Sequence, residues 1–263
     1  MAAKTRFEYL SVLDHMHQVL QPRTYVEIGV RFGTSMQLAL PGTACVGIDP
    51  AAEVRYPLPR RTRIFNSTSD DFFATHDLRS ELGGRAVDVA FIDGMHWFEF
   101  ALRDFINLEH AASPDSMILV HDCYPIDAES AARERSTKLW SGDVWKMIVA
   151  LREHRPDLVV TTLDAEPTGL AVITGLDPTS TTLSARCQAI IDQYADVPFA
   201  AIENDKAERL NRSPADLATV DALFPRPFRT ENEALLRAGR ALRLPTRAQL
   251  RSRVSRKRAV PAS

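Results

Sequence analysis

Val87-Asp-Val-Ala-Phe-Ile-Asp93-Gly-Met-His96-Trp-Phe-Glu-Phe-Ala-Leu-Arg-Asp-Phe105, with Ser116-Met-Ile-Leu-Val-His121-Asp122 shortly after it, is the stretch on which the fold turns. Two short apolar runs, Val87–Ile92 and Ser116–Val120, give way to the carboxylates Asp93 and Asp122. Runs this short and rich in Val and Ile are the signature of strands buried on both faces of a parallel sheet. Between them Phe98, Leu102, Phe105, Ile106 and Glu109 recur at helical spacing, with Arg103, Asp104 and Asn107 on the other side. Strand, helix, strand puts both acids at the same edge of the sheet, and in open α/β sheets the carboxyl edge is where ligands bind. Asp93, His96, His121 and Asp122 are therefore the candidate chemical site.

Working outward toward the N-terminus, Phe7, Leu10, Leu13, Met16 and Leu20 form a helical stripe that stops at Gln21-Pro22. Residues 1–23 are expected to cover the sheet or lid the site. Tyr25-Val-Glu27-Ile-Gly29-Val-Arg-Phe-Gly33-Thr34-Ser35 reads as a strand, a glycine turn and a helix starting near Thr34. Glycines there let backbone approach a ligand, and a helix N-terminus offers unpaired N–H groups. Cys45-Val-Gly-Ile-Asp49 is the next strand, ending in an acid suited to accept hydrogen bonds from the hydroxyls of a ribose. Arg63–Asn66 is a third strand, and Ser67-Thr-Ser-Asp-Asp71 starts a helix running to about His76.

Toward the C-terminus, Cys123–Ser141 has no clean period, and a stretch of that kind beside a site is expected to contact substrate. A helix over Gly142–Leu151 follows, then strands at Asp157–Thr162 and Gly169–Thr174, expected as an antiparallel hairpin at the sheet edge. Beyond Asp177-Pro178 short helices are expected over 181–194, 206–210, 214–223 and 231–244. The organisation is thus 1–23 as leading helix, 24–176 as the α/β domain, and 177–263 as a helical extension with a basic tail.

The composition, 45% apolar and 25% charged, is that of an ordinary globular protein. No apolar run approaches the roughly 20 residues of a membrane-spanning helix, and Met1–Leu10 lacks a signal-peptide core. Cys45, Cys123 and Cys187 are too scattered for a disulfide framework or a zinc cluster, so a cytoplasmic home is expected. The net charge of −2 hides an asymmetry: Arg237–Arg258 holds nine basic residues and no acid, leaving 23 basic against 34 acidic residues elsewhere. A nucleic-acid enzyme carries its basic face on the catalytic domain, and here the positive charge sits on a tail.

The order of elements, with E-I-G-V-R-F-G-T-S, V-G-I-D and F-I-D-G-M-H, resembles the class I S-adenosylmethionine-dependent methyltransferases over roughly residues 24–174. The resemblance implies a Rossmann-like seven-stranded sheet with helices on both faces. Within that superfamily the chain is similar to the small-molecule O-methyltransferases of the catechol and macrolide-sugar types. That likeness implies S-adenosyl-L-methionine bound by Glu27, Gly29, Gly33, Thr34, Ser35, Asp49, Ser67 and Asp93. It also implies a divalent ion held by Asp93 and Asp122, with His121 as an open third ligand. The ion is Mg²⁺ if the two acids suffice, whereas His121 in the shell would tilt the site toward a transition metal or be purely structural. His96 falls where the sugar-type enzymes place a general base, and Asp93 joins it as a catalytic residue. The chain departs from the sugar type in carrying His121 where an acid precedes the second ligand. It departs from the catechol type in carrying Cys123 after that ligand instead of Asn.

The implied activity is O-methylation of a hydroxyl on a small molecule or sugar. A hydroxyl is a poor nucleophile near neutrality and needs a base, a nearby cation, or both. Two other readings remain: an NAD(P)-dependent oxidoreductase, and a non-catalytic methyltransferase-like binding subunit. The first wants G-x-G-x-x-G, whereas Gly29 is followed by Val30-Arg31-Phe32-Gly33. The second leaves Asp93, His96 and Asp122 without a purpose. Expected partners are the acceptor and, in a homo-oligomer, a second copy of the chain.

Overall fold

The computed structural model describes residues 7–224 and 226–228. Five parallel strands, β1 (Thr24–Ile28), β2 (Ala44–Ile48), β3 (Thr62–Phe65), β4 (Val87–Ile92) and β5 (Ala112–His121), lie in the order β3-β2-β1-β4-β5. Both faces of the central strands are covered; every residue of β1, β2 and β4 is buried, including Glu27 and Asp88 among the apolar side chains.

β6 (Val159–Leu163) and β7 (Leu170–Thr174) pair antiparallel as expected, but the pair does not sit at the edge as a simple hairpin. β7 inserts antiparallel between β5 and β6. The residues explain this. Leu170-Ala-Val-Ile173 is apolar without interruption and needs neighbours on both sides, whereas β6 leaves Val159 exposed. A two-residue strand, β8 (Arg212–Ser213), adds in parallel to β6, so the sheet has eight strands where seven were expected. Asp164 fixes that join by accepting from the Arg212 guanidinium and, at 2.8 Å, from the Ala215 N–H.

The helices are α1 (Tyr9–Leu20), α2 (Ser69–Thr75), α3 (Leu78–Glu81), α4 (Phe98–Ala111), α5 (Trp145–His154), α6 (Cys187–Tyr194), α7 (Lys206–Arg209) and α8 (Leu217–Leu223). Strand alternation sorts them into two layers. Val26, Ile92, Ile118 and Ile173 face Phe72, Phe105, Ile148 and Ile190 of α2, α4, α5 and α6. Tyr25, Phe91, Leu119 and Val172 face Leu13 and Met16 of α1 and Val220 of α8. The elements after residue 177 therefore supply an edge strand and cover on both faces. The segment expected to be helical over 231–244, and the basic tail, lie outside the described residues.

The α-helix expected from Thr34 does not form. Residues 30–35 make turns and only Met36–Leu38 closes one 3-10 turn. Pro41 biases Leu40 away from the helical region and Gly42 follows, while β2 must begin at Ala44, so the connection is too short for a helix. Asp104, expected on the solvent side of α4, is 2% exposed because α2 packs over that flank.

No helix among the described residues is long and apolar enough to cross a membrane.

Candidate functional site

The ends of β1 and β4 close against each other at Gly29. Its φ is +89°, and a Cβ there would fall 2.0 Å from the Asp93 carbonyl oxygen. The Asp93 N–H donates to the Ile28 carbonyl at 2.8 Å, and the Gly29 N–H to that of Ile48 at 2.9 Å. Only glycine permits this approach.

Beneath the loop Glu27 is fully buried, accepting from the Ser35 hydroxyl at 2.6 Å and from the Tyr25 hydroxyl at 2.8 Å. Burial pushes its carboxyl up to about 8, against the opposing pull of those two hydrogen bonds. Glu27 thus braces the loop from inside, and Ser35 reaches down to it. Thr34 is half-buried, with its carbonyl taken by the Gln37 amide at 3.0 Å; Gly33 turns back at φ +75°. Asp49 accepts from the Arg31 N–H at 2.6 Å and the Ala51 N–H at 2.7 Å, one on each oxygen. Each oxygen keeps a second lone pair, so the carboxylate is oriented yet still able to accept from a ribose. The Ser67 hydroxyl, at the end of β3, is buried and has no hydrogen-bond partner among the described residues.

At the ends of β4 and β5 the structure brings together Asp93, His96, His121 and Asp122. One donor atom each from Asp93, His96 and Asp122 lies within 4.8 Å of the others. His121 Nδ1 is 3.1 Å from Asp93 Oδ1 and 3.2 Å from Asp122 Oδ2. Burial alone would push the His121 imidazole down, but Asp122 and Asp93 outweigh it and hold it up at about 10. The same pairing keeps Asp122 below the usual carboxylate range despite its burial. His96 Nδ1 is 3.1 Å from Asp122 Oδ2 and 3.3 Å from the Trp140 carbonyl, while its Nε2 is 3.7 Å from Asp93 Oδ1.

Three further residues reach this edge. Tyr9 and Trp140 come from the two segments expected to lid the site or contact substrate, neither of them singled out by sequence, and Thr168 comes from the turn before β7, which sequence did not connect to it. Thr168 donates its hydroxyl to Asp122 Oδ1. Tyr9, at the start of α1, lays its ring 3.9 Å from that of His121, and burial and the carboxylates of Asp93 and Asp122 hold its phenol well above the ordinary value. Backbone bonds from Tyr9 N–H to the Glu166 carbonyl (3.0 Å) and from Glu166 N–H to that of Phe7 (2.9 Å) pin this start of α1 beside the site. Trp140 stacks on His96. The only signals for them were the leading helical stripe and the irregular composition of 123–141. A recess beside the cluster is lined by Gly94, His96, Ala101, Asp104, Asp122 and Val144. Asp104 Oδ1 has no partner there among the described residues, and burial pushes its carboxyl up to about 7.

Residues 26–123 match the family model described as a methyltransferase domain. No curated protein matches the chain. Among solved structures the chain is similar to cofactor-bound Rv0187 from MTB, at 17% identity over 66% of this chain and 83% of that one, with a TM-score of 0.49. It is also similar to the O-methyltransferase TomG from Streptomyces achromogenes in complex with SAM, at 15% identity over 64% and 80%, with a TM-score of 0.48. A third is the O-methyltransferase from Bacillus cereus in complex with SAH, at 12% identity over 67% and 84%, with a TM-score of 0.47.

Proposed function

We propose that the class I S-adenosylmethionine-dependent methyltransferase domain carried by this chain methylates a hydroxyl oxygen of a small molecule or sugar, with His96 as the base. The observation that carries this reading is the convergence of Asp93, His96 and Asp122 at the carboxyl edge, beside a glycine loop closed onto Asp93.

On the cofactor side, the groups assigned to S-adenosyl-L-methionine are the backbone of Gly29 and Gly33, Thr34, the Asp49 carboxylate, Ser67 and Asp93, with Glu27 and Ser35 supporting the loop. Asp49 suits the ribose because both its oxygens are already oriented by backbone donors. The cofactor supplies a methyl group on a positively charged sulfur, and the work left to the protein is alignment and removal of a proton.

The two carboxylates also suit a small divalent cation such as Mg²⁺, which prefers oxygen ligands; one oxygen each of Asp93 and Asp122 and a nitrogen of His96 lie within 4.8 Å of one another. Asp93 and Asp122 would hold it, with His121 Nδ1 as third donor once that ring gives up its proton. A cation there makes a nearby hydroxyl more acidic. His96 Nδ1–H donates toward Asp122 and the Trp140 carbonyl, which leaves Nε2 with the lone pair that takes the acceptor's proton. With S-adenosyl-L-methionine bound, the methyl group would pass to the acceptor oxygen and the cofactor would leave as the neutral sulfide, so the one proton to be removed is the acceptor's, and His96 would take it. Tyr9, from α1, packs its ring against His121, and Thr168, from the turn before β7, holds Asp122 by a hydrogen bond.

Three measurements test this. Calorimetric titration should give binding of S-adenosylmethionine and none of NAD⁺. His96→Ala should lower kcat by roughly 10²–10⁴-fold, the usual worth of a general base, while leaving cofactor affinity nearly unchanged. Excess chelator should depress turnover and Mg²⁺ restore it. Wild-type turnover of His96→Ala would remove the base, and full activity in chelator would remove the cation.

A further inference from the structure

We infer that Trp140 is a positioning residue for His96, its indole face fixing the orientation of the imidazole that turns Nδ1 toward Asp122 and Nε2 toward the Asp93 side of the site; the inference rests on the reading of His96 as the base.

His96 needs holding. Its φ is +59°, a left-handed conformation that non-glycine residues rarely adopt and that the surroundings must hold. Its own segment supplies little restraint: the side chain of Trp97, the next residue, does not cap α4. The cap instead comes from Asp143, whose carboxylate accepts the Phe98 N–H at 2.8 Å.

The restraint comes from residues 140–143, which fold back from the far side of the 123–141 loop. The Asp143 N–H donates to the His96 carbonyl at 3.2 Å. Gly142, at φ +60°, lies so close that a Cβ would fall 1.9 Å from that carbonyl oxygen. The Trp140 indole lies parallel to the imidazole, at 5° between planes and 4.9 Å between centroids. Its carbonyl, 3.3 Å from His96 Nδ1, joins Asp122 on the same ring nitrogen. Nδ1 thus faces two acceptors, while Nε2 lies 3.7 Å from Asp93 Oδ1 on the other side of the ring.

Trp140 is itself fixed. Its Nε1–H donates to the Ala132 carbonyl at 2.6 Å, and the Ser141 N–H to that of Ser130 at 2.9 Å. Arg133, from the same loop, bonds Glu99 at 2.6 Å and Asp143 at 2.8 Å, tying the loop to the first turn of α4. This bracing fits a plate that must not move; an indole merely filling space would need none of it.

The test reads the ring directly and needs no acceptor. Nitrogen-15 spectra of the histidine side chains, with His96 assigned by loss of its signals in His96→Gln, should give the Nδ1–H tautomer and ring protons shifted upfield by the indole. Trp140→Leu, which fills space without a flat face, should lose the upfield shift and broaden the His96 ring signals as the ring samples more than one orientation. Trp140→Phe should retain the single tautomer and most of the shift.

With a catechol and a methyl glycoside as probe acceptors, Trp140→Leu should lower kcat roughly 10²-fold, the scale of a small misplacement, with cofactor affinity unchanged. Adding Trp140→Leu to His96→Ala should cost nothing more. Unchanged kcat in Trp140→Leu would overturn the inference, as would a loss that adds in full to that of His96→Ala. Wild-type turnover of His96→Ala alone would instead overturn the base reading.

Discussion

His17 and Glu27 show how two buried ionisable groups under one helix pull the stability of the fold in opposite directions with pH. His17 lies in α1 edge-on to Tyr25 at 4.6 Å, with neither ring nitrogen bonded among the described residues, and burial pushes its imidazole down to about 3. Between pH 3 and 6.5 the unfolded chain therefore binds a proton there that the folded chain does not, so stability rises with pH across that window. Glu27 does the reverse. Its folded value of about 8 against an ordinary 4.5 means that the folded chain holds the extra proton, so stability falls as pH rises from 4.5 to 8. Each slope is at most about 1.4 kcal/mol per pH unit. The two oppose each other between 4.5 and 6.5, leaving His17 alone to act below 4.5. His17→Phe should flatten the acid side of a melting-temperature profile and Glu27→Gln the neutral side. A profile unchanged in both variants would mean that neither group is buried as described.

At the scale of elements, what could be read locally was read and what depended on distant partners was not. β4 and β5 announce themselves by apolar runs ending near Asp93 and Asp122, because burial on both faces leaves no other composition possible. The insertion of β7, the two-residue β8 and the arrival of Tyr9, Thr168 and Trp140 depend on pairings far apart in sequence, which periodicity does not encode. The missing helix after Gly33 was a competition between a favourable start and a connection cut short by Pro41-Gly42. Helical spacing alone places Asp104 opposite the apolar stripe of α4, and it does not encode the packing of α2 that buries it there. Gly29 tests whether the β1 loop is an element defined by contact. Ala there meets the Asp93 backbone at 2.0 Å as well as an unfavourable φ, whereas Ala at Gly83 meets nothing within 4 Å and only a φ of +69°. Gly83→Ala should therefore cost about 1–2 kcal/mol in chemical denaturation. Gly29→Ala should cost more and abolish cofactor binding. Equal costs with cofactor affinity retained would remove the close approach as the reason for glycine.

Across the whole molecule the charge is as unevenly distributed as the chemistry. The described body is acidic and carries the site, and its last described contact runs from the Phe228 N–H to the Leu20 carbonyl of α1 at 2.7 Å. Deleting residues 246–263 removes six basic residues and no acid, taking the formal charge from −2 to −8. Every element that builds the sheet or the site ends before that deletion. Turnover of a small neutral acceptor and the melting temperature should thus remain close to those of the full chain. What should change is long-range attraction: a tail of this charge draws the protein to anionic surfaces in a salt-dependent way, and the truncated chain should lose retention on vesicles containing phosphatidylserine at low salt. Equal retention of both forms would leave the tail without that role, and unfolding on truncation would make it part of the structural core.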